Sequence, residues 1–166
     1  NATLLPLIGL AAFVVTLCGA LTQFNVGRMI DRNTLKRVFL PVSIVLAPAM
    51  LGLSFAQGWL VLPLAAAVAA SIFGQVTVND TMTARYISPA LRARIYSVRF
   101  FVGFLGSAAA APVVSIFYER TGSVAAVTTV LAVFSVVTLG CALFFPDRKE
   151  ELEPSLWADA EPVAAE

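Results

Sequence analysis

Residues 124–145 read VAAVTTVLAVFSVVTLGCALFF, an unbroken stretch without one Lys, Arg, Asp or Glu. A helix needs about 20 apolar residues to cross a hydrocarbon core of roughly 30 Å, so this run is long enough to span a membrane. Burying a Lys, Arg or Asp at mid-membrane costs about 2.5–3.5 kcal/mol on insertion scales, which accounts for their exclusion. Apolar residues occupy every face of the run, whereas a surface helix of a soluble protein keeps them to one stripe. Alternation with period two is absent, which argues against a membrane barrel. A helix remains, because in lipid it satisfies all of its backbone polar groups internally.

Working outward, four further runs have the same character: approximately Ala2 to Phe24, Val38 to Ala56, Trp59 to Val78 and Phe100 to Tyr118, each free of Lys, Arg, Asp and Glu. The predicted fold is therefore all-α, a polytopic helical membrane protein with five transmembrane helices within residues 1–146. Composition agrees: of 166 residues 59% are hydrophobic and 13% charged, with a mean hydropathy of +0.87, where soluble domains carry about 25% charged residues. The net charge of +1 hides a division, since Asp31, Asp80 and Glu119 are the only acidic residues before Pro146 and the other seven follow it. Residues 147–166, opening Asp147-Arg148-Lys149-Glu150-Glu151-Leu152-Glu153-Pro154, are too polar to bury apolar area and are predicted to form a disordered tail. The first apolar run lacks the basic flank and cleavage pattern of a signal peptide. With Asn1 in place of an initiator Met, the chain reads as a fragment whose start is missing.

The connections carry orientation. Gln57-Gly58 and Glu119-Arg120-Thr121-Gly122 are tight turns, while 25–37 and 79–99 are longer basic segments. If all five runs cross, Arg28, Arg32, Lys36, Arg37, Arg85, Arg92, Arg94, Arg99, Arg148 and Lys149 lie on one side, against Arg120 alone on the other. The positive-inside rule makes the basic side cytoplasmic and puts the C-terminus there, in a cell membrane of the bacterial inner-membrane type. Trp59 and Tyr118 then fall at the outer interface, where amphipathic rings are favoured.

Several chemistries are excluded. There is no histidine, and Cys18 and Cys141 stand alone inside apolar runs. Neither a Cys/His metal site nor a disulfide framework is expected, no cofactor is called for, and both cysteines read as small packing residues. No G-x-x-x-x-G-K-[ST] loop is present for nucleotide chemistry. Topology already explains the basic loops, so no nucleic-acid partner is expected. The spans hold no acid or histidine at mid-membrane to relay protons.

The segment Gly27-Arg28-Met29-Ile30-Asp31-Arg32-Asn33-Thr34-Leu35-Lys36-Arg37 resembles the loop signature of the major facilitator superfamily, G-x-x-x-D-[RK]-x-G-[RK]-[RK], which follows the second helix of each six-helix half. Gly27, Asp31, Arg32 and Lys36 match. Thr34 replaces the family glycine and Leu35 a basic residue, with Arg37 one step later supplying that charge. Residues 84–99, with Pro89 and then Arg92, Arg94 and Arg99, look like the connection between the fourth and fifth helices. Glu119-Arg120-Thr121-Gly122 is similar to the turn before the last helix. The three resemblances occur in family order and cover nearly all of 1–145. They imply the second to sixth helices of the C-terminal half, lacking its first helix, with the missing N-terminal half as partner alongside the lipid bilayer and a small-molecule substrate. What the resemblance implies is solute transport by alternating access, with Gly27, Asp31, Arg32, Lys36 and Arg37 in a conformational latch and Arg92, Arg94 and Arg99 as its partners. A non-transporting membrane subunit and, less readily, a polytopic membrane enzyme are the alternatives.

One polar stripe remains. Ser71, Gln75 and Asn79 recur every four residues on one face of the third span. Such a stripe either bonds to a neighbouring helix or lines an aqueous cavity. Asp80 beside it is expected to pair with Arg85. Thr16 with Ala20, and Gly103 with Ser107 and Ala111, read as small-residue faces for close helix contact.

Overall fold

The computed structural model of the chain describes residues 4–153. Five helices follow one another: α1 (Leu4–Ile30), α2 (Leu35–Phe55), α3 (Val61–Tyr86), α4 (Pro89–Thr121) and α5 (Val124–Phe144), with short 3-10 turns at Gly58–Leu60 and Lys149–Leu152. All five are long and apolar enough to cross a membrane, and no strand occurs among the described residues.

The helices outrun the apolar stretches that announce them. α1 continues past Phe24 to Ile30, α3 past Val78 to Tyr86, and α4 starts at Pro89 instead of near Phe100. The basic segments 25–37 and 79–99, expected as long loops, contract to the turns Asp31–Thr34 and Ile87–Ser88. The reason is physical: hydropathy measures the thickness of hydrocarbon, whereas helix propagation gains one hydrogen bond per residue and is not stopped by Arg, Asn or Gln. Termination needs a chemical stop. At Ser88 the backbone is extended (φ −57°, ψ 146°), as the residue before proline prefers, and Pro89 occupies the first helical position, where its missing N–H costs nothing. Gly122 ends α4 in the left-handed region (φ +65°), its N–H donating to Tyr118 O at 2.7 Å. Ser123 then caps α5 by accepting from Ala125 N.

α3 lies between α1 and α2, α2 also packs on α5, and α4 makes only light contact with α3 and α5. Val26, Ile30, Leu35, Val38, Phe39, Val78 and Ala142 form one buried cluster at the basic end. Leu46, Ala49, Met50, Val68 and Ala132 form a second, farther along. The close approaches are made by glycines other than those in the expected small-residue faces. A Cβ at Gly74 would meet both Val26 and Val42 at 3.3 Å, and one at Gly19 would come within 2.7 Å of the Phe73 ring. Thr16 and Ala20 are exposed, as are Gly103, Ser107 and Ala111, since no residue of α4 is buried. Cys141 is also exposed, while Cys18 is half-buried. Over their apolar spans the outer surfaces of α1, α4 and α5 are rich in exposed Leu, Val and Phe, which suits lipid and not water.

Candidate functional site

The site is built at the basic end, where α1 stops, α2 and α4 begin, α3 ends and the chain leaves α5. α1 closes with Asp31 N donating to Gly27 O (3.3 Å) and Asn33 Nδ2 reaching back to Met29 O (2.9 Å). Thr34 then takes an extended conformation and starts α2, but its hydroxyl does not cap that helix. It donates instead to the Asp147 carboxylate. The first turn of a helix leaves N–H groups without intrahelical partners. The one at Leu35 is taken by Glu151 Oε2 at 2.9 Å. Glu151 is only 5% exposed. Its other oxygen accepts from the Tyr86 hydroxyl, and its Oε2 lies 3.6 Å from Arg85 Nη1. Arg85 Nη2 in turn donates to Ile30 O at 3.0 Å, tying the end of α1 to the end of α3. Phe145, edge-on to the rings of Phe39 and Tyr86, seats the segment that carries Asp147 and Glu151.

The segment after α5 therefore departs from the expectation of disorder over 147–153. It forms a 3-10 turn held by polar contacts to two helix ends, the start of α2 and the end of α3, a stabilisation that apolar content does not measure. The remainder of the expected tail, 154–166, lies outside the described residues.

The expected latch is only partly assembled within the chain. Asp31 and Arg32 are exposed on the turn, and no hydrogen bond or ion pair joins either side chain to Arg92, Arg94 or Arg99 among the described residues. Arg99 is engaged by Asp80, Nη1 to Oδ1 at 2.5 Å, and Arg92 Nη2 donates to Ile87 O at 3.4 Å. Arg94 is exposed. Lys36 is half-buried, and Arg37 lies 3.9 Å from Asp147, an exposed pair worth little by itself. A Cβ on Gly27 would only reach Thr77 at 4.0 Å, so close helix approach is not what this glycine provides. Asp80 pairs with Arg99 and not with Arg85, and its backbone carbonyl also accepts from Tyr96 Oη at 2.7 Å.

The polar stripe of α3 divides. Gln75 Nε2 approaches Ser43 Oγ on α2 at 3.5 Å, a neighbour-helix contact, and Ser71 is buried at the wall of a mainly apolar groove of about 300 Å³. Asn79 is half-buried. A second face of α3 is more polar. Thr77, Asp80 and Thr81 line a groove of about 440 Å³ with Ala20, Gln23 and Phe24 of α1. Their spacing of three and four residues is a helix-face signal as plain as the stripe that was singled out. Among the described residues no group of three or more His, Cys, Asp or Glu is placed to hold a metal.

A family model described as Major Facilitator Superfamily matches residues 4–165. The chain belongs to the major facilitator superfamily. It is a multi-pass membrane protein and a transporter of the major facilitator type, not an enzyme. No curated protein and no solved structure matches it. As a facilitator chain it explains its own departures from the loop signature. Thr34 stands at φ −65°, and every non-glycine residue described has negative φ, so the backbone here does not demand the family glycine. Leu35, in place of a basic residue, is fully buried in the cluster at the basic end. The residue that sequence reasoning missed is Glu151. Its signal was the lack of any acid in the first turn of α2 set against a surplus of acids after α5.

Proposed function

We propose that this facilitator chain forms most of the C-terminal half of a secondary transporter that moves a small solute by alternating access, with the missing N-terminal half as its partner. The observation that carries the reading concerns the three acids before Pro146. Asp80 is paired with Arg99 and Glu119 accepts from Ser115 Oγ, whereas Asp31 has no side-chain partner among the described residues. It sits exposed on a turn between two spans, beside Arg32, where a second six-helix half would meet it. A carboxylate there can accept from a helix N-terminus and pair with Arg across the interface, each contact contributing ~0.3–2 kcal/mol. That is enough to bias an equilibrium between inward-open and outward-open states. The groove of Gln23, Thr77, Asp80 and Thr81 is the polar surface offered to the solute. The test is uptake by cells producing the whole transporter, challenged with labelled sugars, amino acids, organic anions and lipophilic cations. Asp31→Asn should lower uptake of the accepted solute at least tenfold with the same amount of protein in the membrane. Unchanged uptake would remove Asp31 from the mechanism.

The ten basic residues at one end support a cell-membrane placement with that end and the C-terminus in the cytoplasm. In a background with Cys18 and Cys141 replaced by serine, Ser88→Cys should react with an impermeant maleimide only from the cytoplasm and Gly58→Cys only from outside. The reverse pattern would invert the topology.

A further inference from the structure

The start of α2 and the residues after α5 complement each other. α2 has no acid in its first turn, and its N-cap residue Thr34 makes no capping hydrogen bond. From 116 positions later in the chain Glu151 supplies what is missing, accepting from Leu35 N while its other oxygen holds the Tyr86 hydroxyl. Four positions before it, Asp147 takes the Thr34 hydroxyl. A carboxylate this deeply buried is sustained by charge-assisted bonds and by the positive end of a helix dipole, and here both are present together with Arg85. The turn 31–34 is therefore gripped on both sides: Arg85 holds Ile30 O before it, and Glu151 holds Leu35 N after it.

We propose that Glu151 is a positioning residue, a helix cap delivered from the far end of the chain, which fixes the α1–α2 turn against the end of α3 and so sets where Asp31 and Arg32 stand. Its consequence for transport rests on the latch role of Asp31 proposed above, but the grip itself does not. Acting through a cap, Glu151 matters as an acceptor first and as a charge second. Glutamine keeps one oxygen for Leu35 N–H, and its NH₂ can donate to the Tyr86 oxygen, so Glu151→Gln should be mild where Glu151→Ala is not.

The test is hydrogen–deuterium exchange of the purified transporter in lipid nanodiscs, read on peptides covering 31–38. Glu151→Ala should speed exchange there at least tenfold, Glu151→Gln by no more than about threefold, and alanine at the neighbouring exposed Glu150 not at all, with the middle of α1 and α3 unchanged. The proposal is overturned if Glu151→Ala and Glu150→Ala exchange alike, if glutamine is as harmful as alanine, or if acceleration spreads evenly over all five helices. Exchange and uptake separate the two claims: a turn freed by Glu151→Ala in a transporter indifferent to Asp31→Asn would sink the latch and leave the cap standing.

Discussion

Phe134→Arg is expected to cut the membrane-inserted, folded protein by one to two orders of magnitude, although Phe134 is 65% exposed and touches no buried cluster. In a water-soluble protein an exposed apolar residue replaced by arginine changes stability by roughly 0.5 kcal/mol or less. Phe134 lies near the middle of α5, the span of highest hydropathy, and its side chain faces outward. A charge at that depth costs about 2.5–3.5 kcal/mol on insertion scales, and the arginine is too far from either interface to snorkel free of the full penalty. At about 1.4 kcal/mol per tenfold, that is roughly sixty- to three-hundred-fold in an insertion equilibrium, softened by whatever local thinning the bilayer allows. Phe134→Leu should be neutral. Carbonate-resistant protein in membranes, with folded yield in mild detergent, reads both variants. Equal yields for arginine and leucine would mean that this face of α5 meets water.

The spans were legible because they obey one rule, exclusion of charge over the thickness of hydrocarbon, and α5 differs from its apolar run by a single residue. What stayed hidden follows from the same rule. Residues 25–30, 79–86 and 89–99 are helical and polar, and a measure that ends a helix at its first charge cannot find them. Ser88-Pro89 marked the true start of α4, being a stop for one helix and a favoured first position for the next. Partner choice was hidden for a different reason. Asp80 was matched with Arg85 by proximity in sequence, but five residues along a helix is a rotation of about 140° from the starting face. Arg99 lies on the right face because the Ile87–Ser88 turn brings α4 back past α3. Glu151 is the extreme case, a contact 116 residues apart between a helix end and an acid-rich segment, where neither hydrophobic periodicity nor composition has anything to register.

The pair at Asp80 has a mechanical consequence. α4 is 33 residues long and buries none of them, and its side-chain bonds to another helix fall on one residue of α3: Arg99 on the Asp80 carboxylate and Tyr96 on the Asp80 carbonyl. Both charged side chains are partly exposed, 33% and 41%, which sets the pair between an exposed one, worth about 0–1 kcal/mol, and a buried one, where removing a partner costs about 3–5 kcal/mol. We expect Asp80→Asn and Arg99→Gln each to lose about 2 kcal/mol of stability. If each loss is the loss of the same pair, the double variant should lose little more than either single one, a coupling of ~1 kcal/mol or more in a double-mutant cycle. Thermal unfolding in detergent micelles, followed at low and at high salt, checks the cycle, and the coupling should shrink with salt because the pair is partly solvated. Strictly additive losses would show that α4 is held elsewhere. Coupling would show that the Asp80–Arg99 pair ties α4 to α3 at the edge of the polar groove that Asp80 lines, so that releasing it frees one wall of that groove.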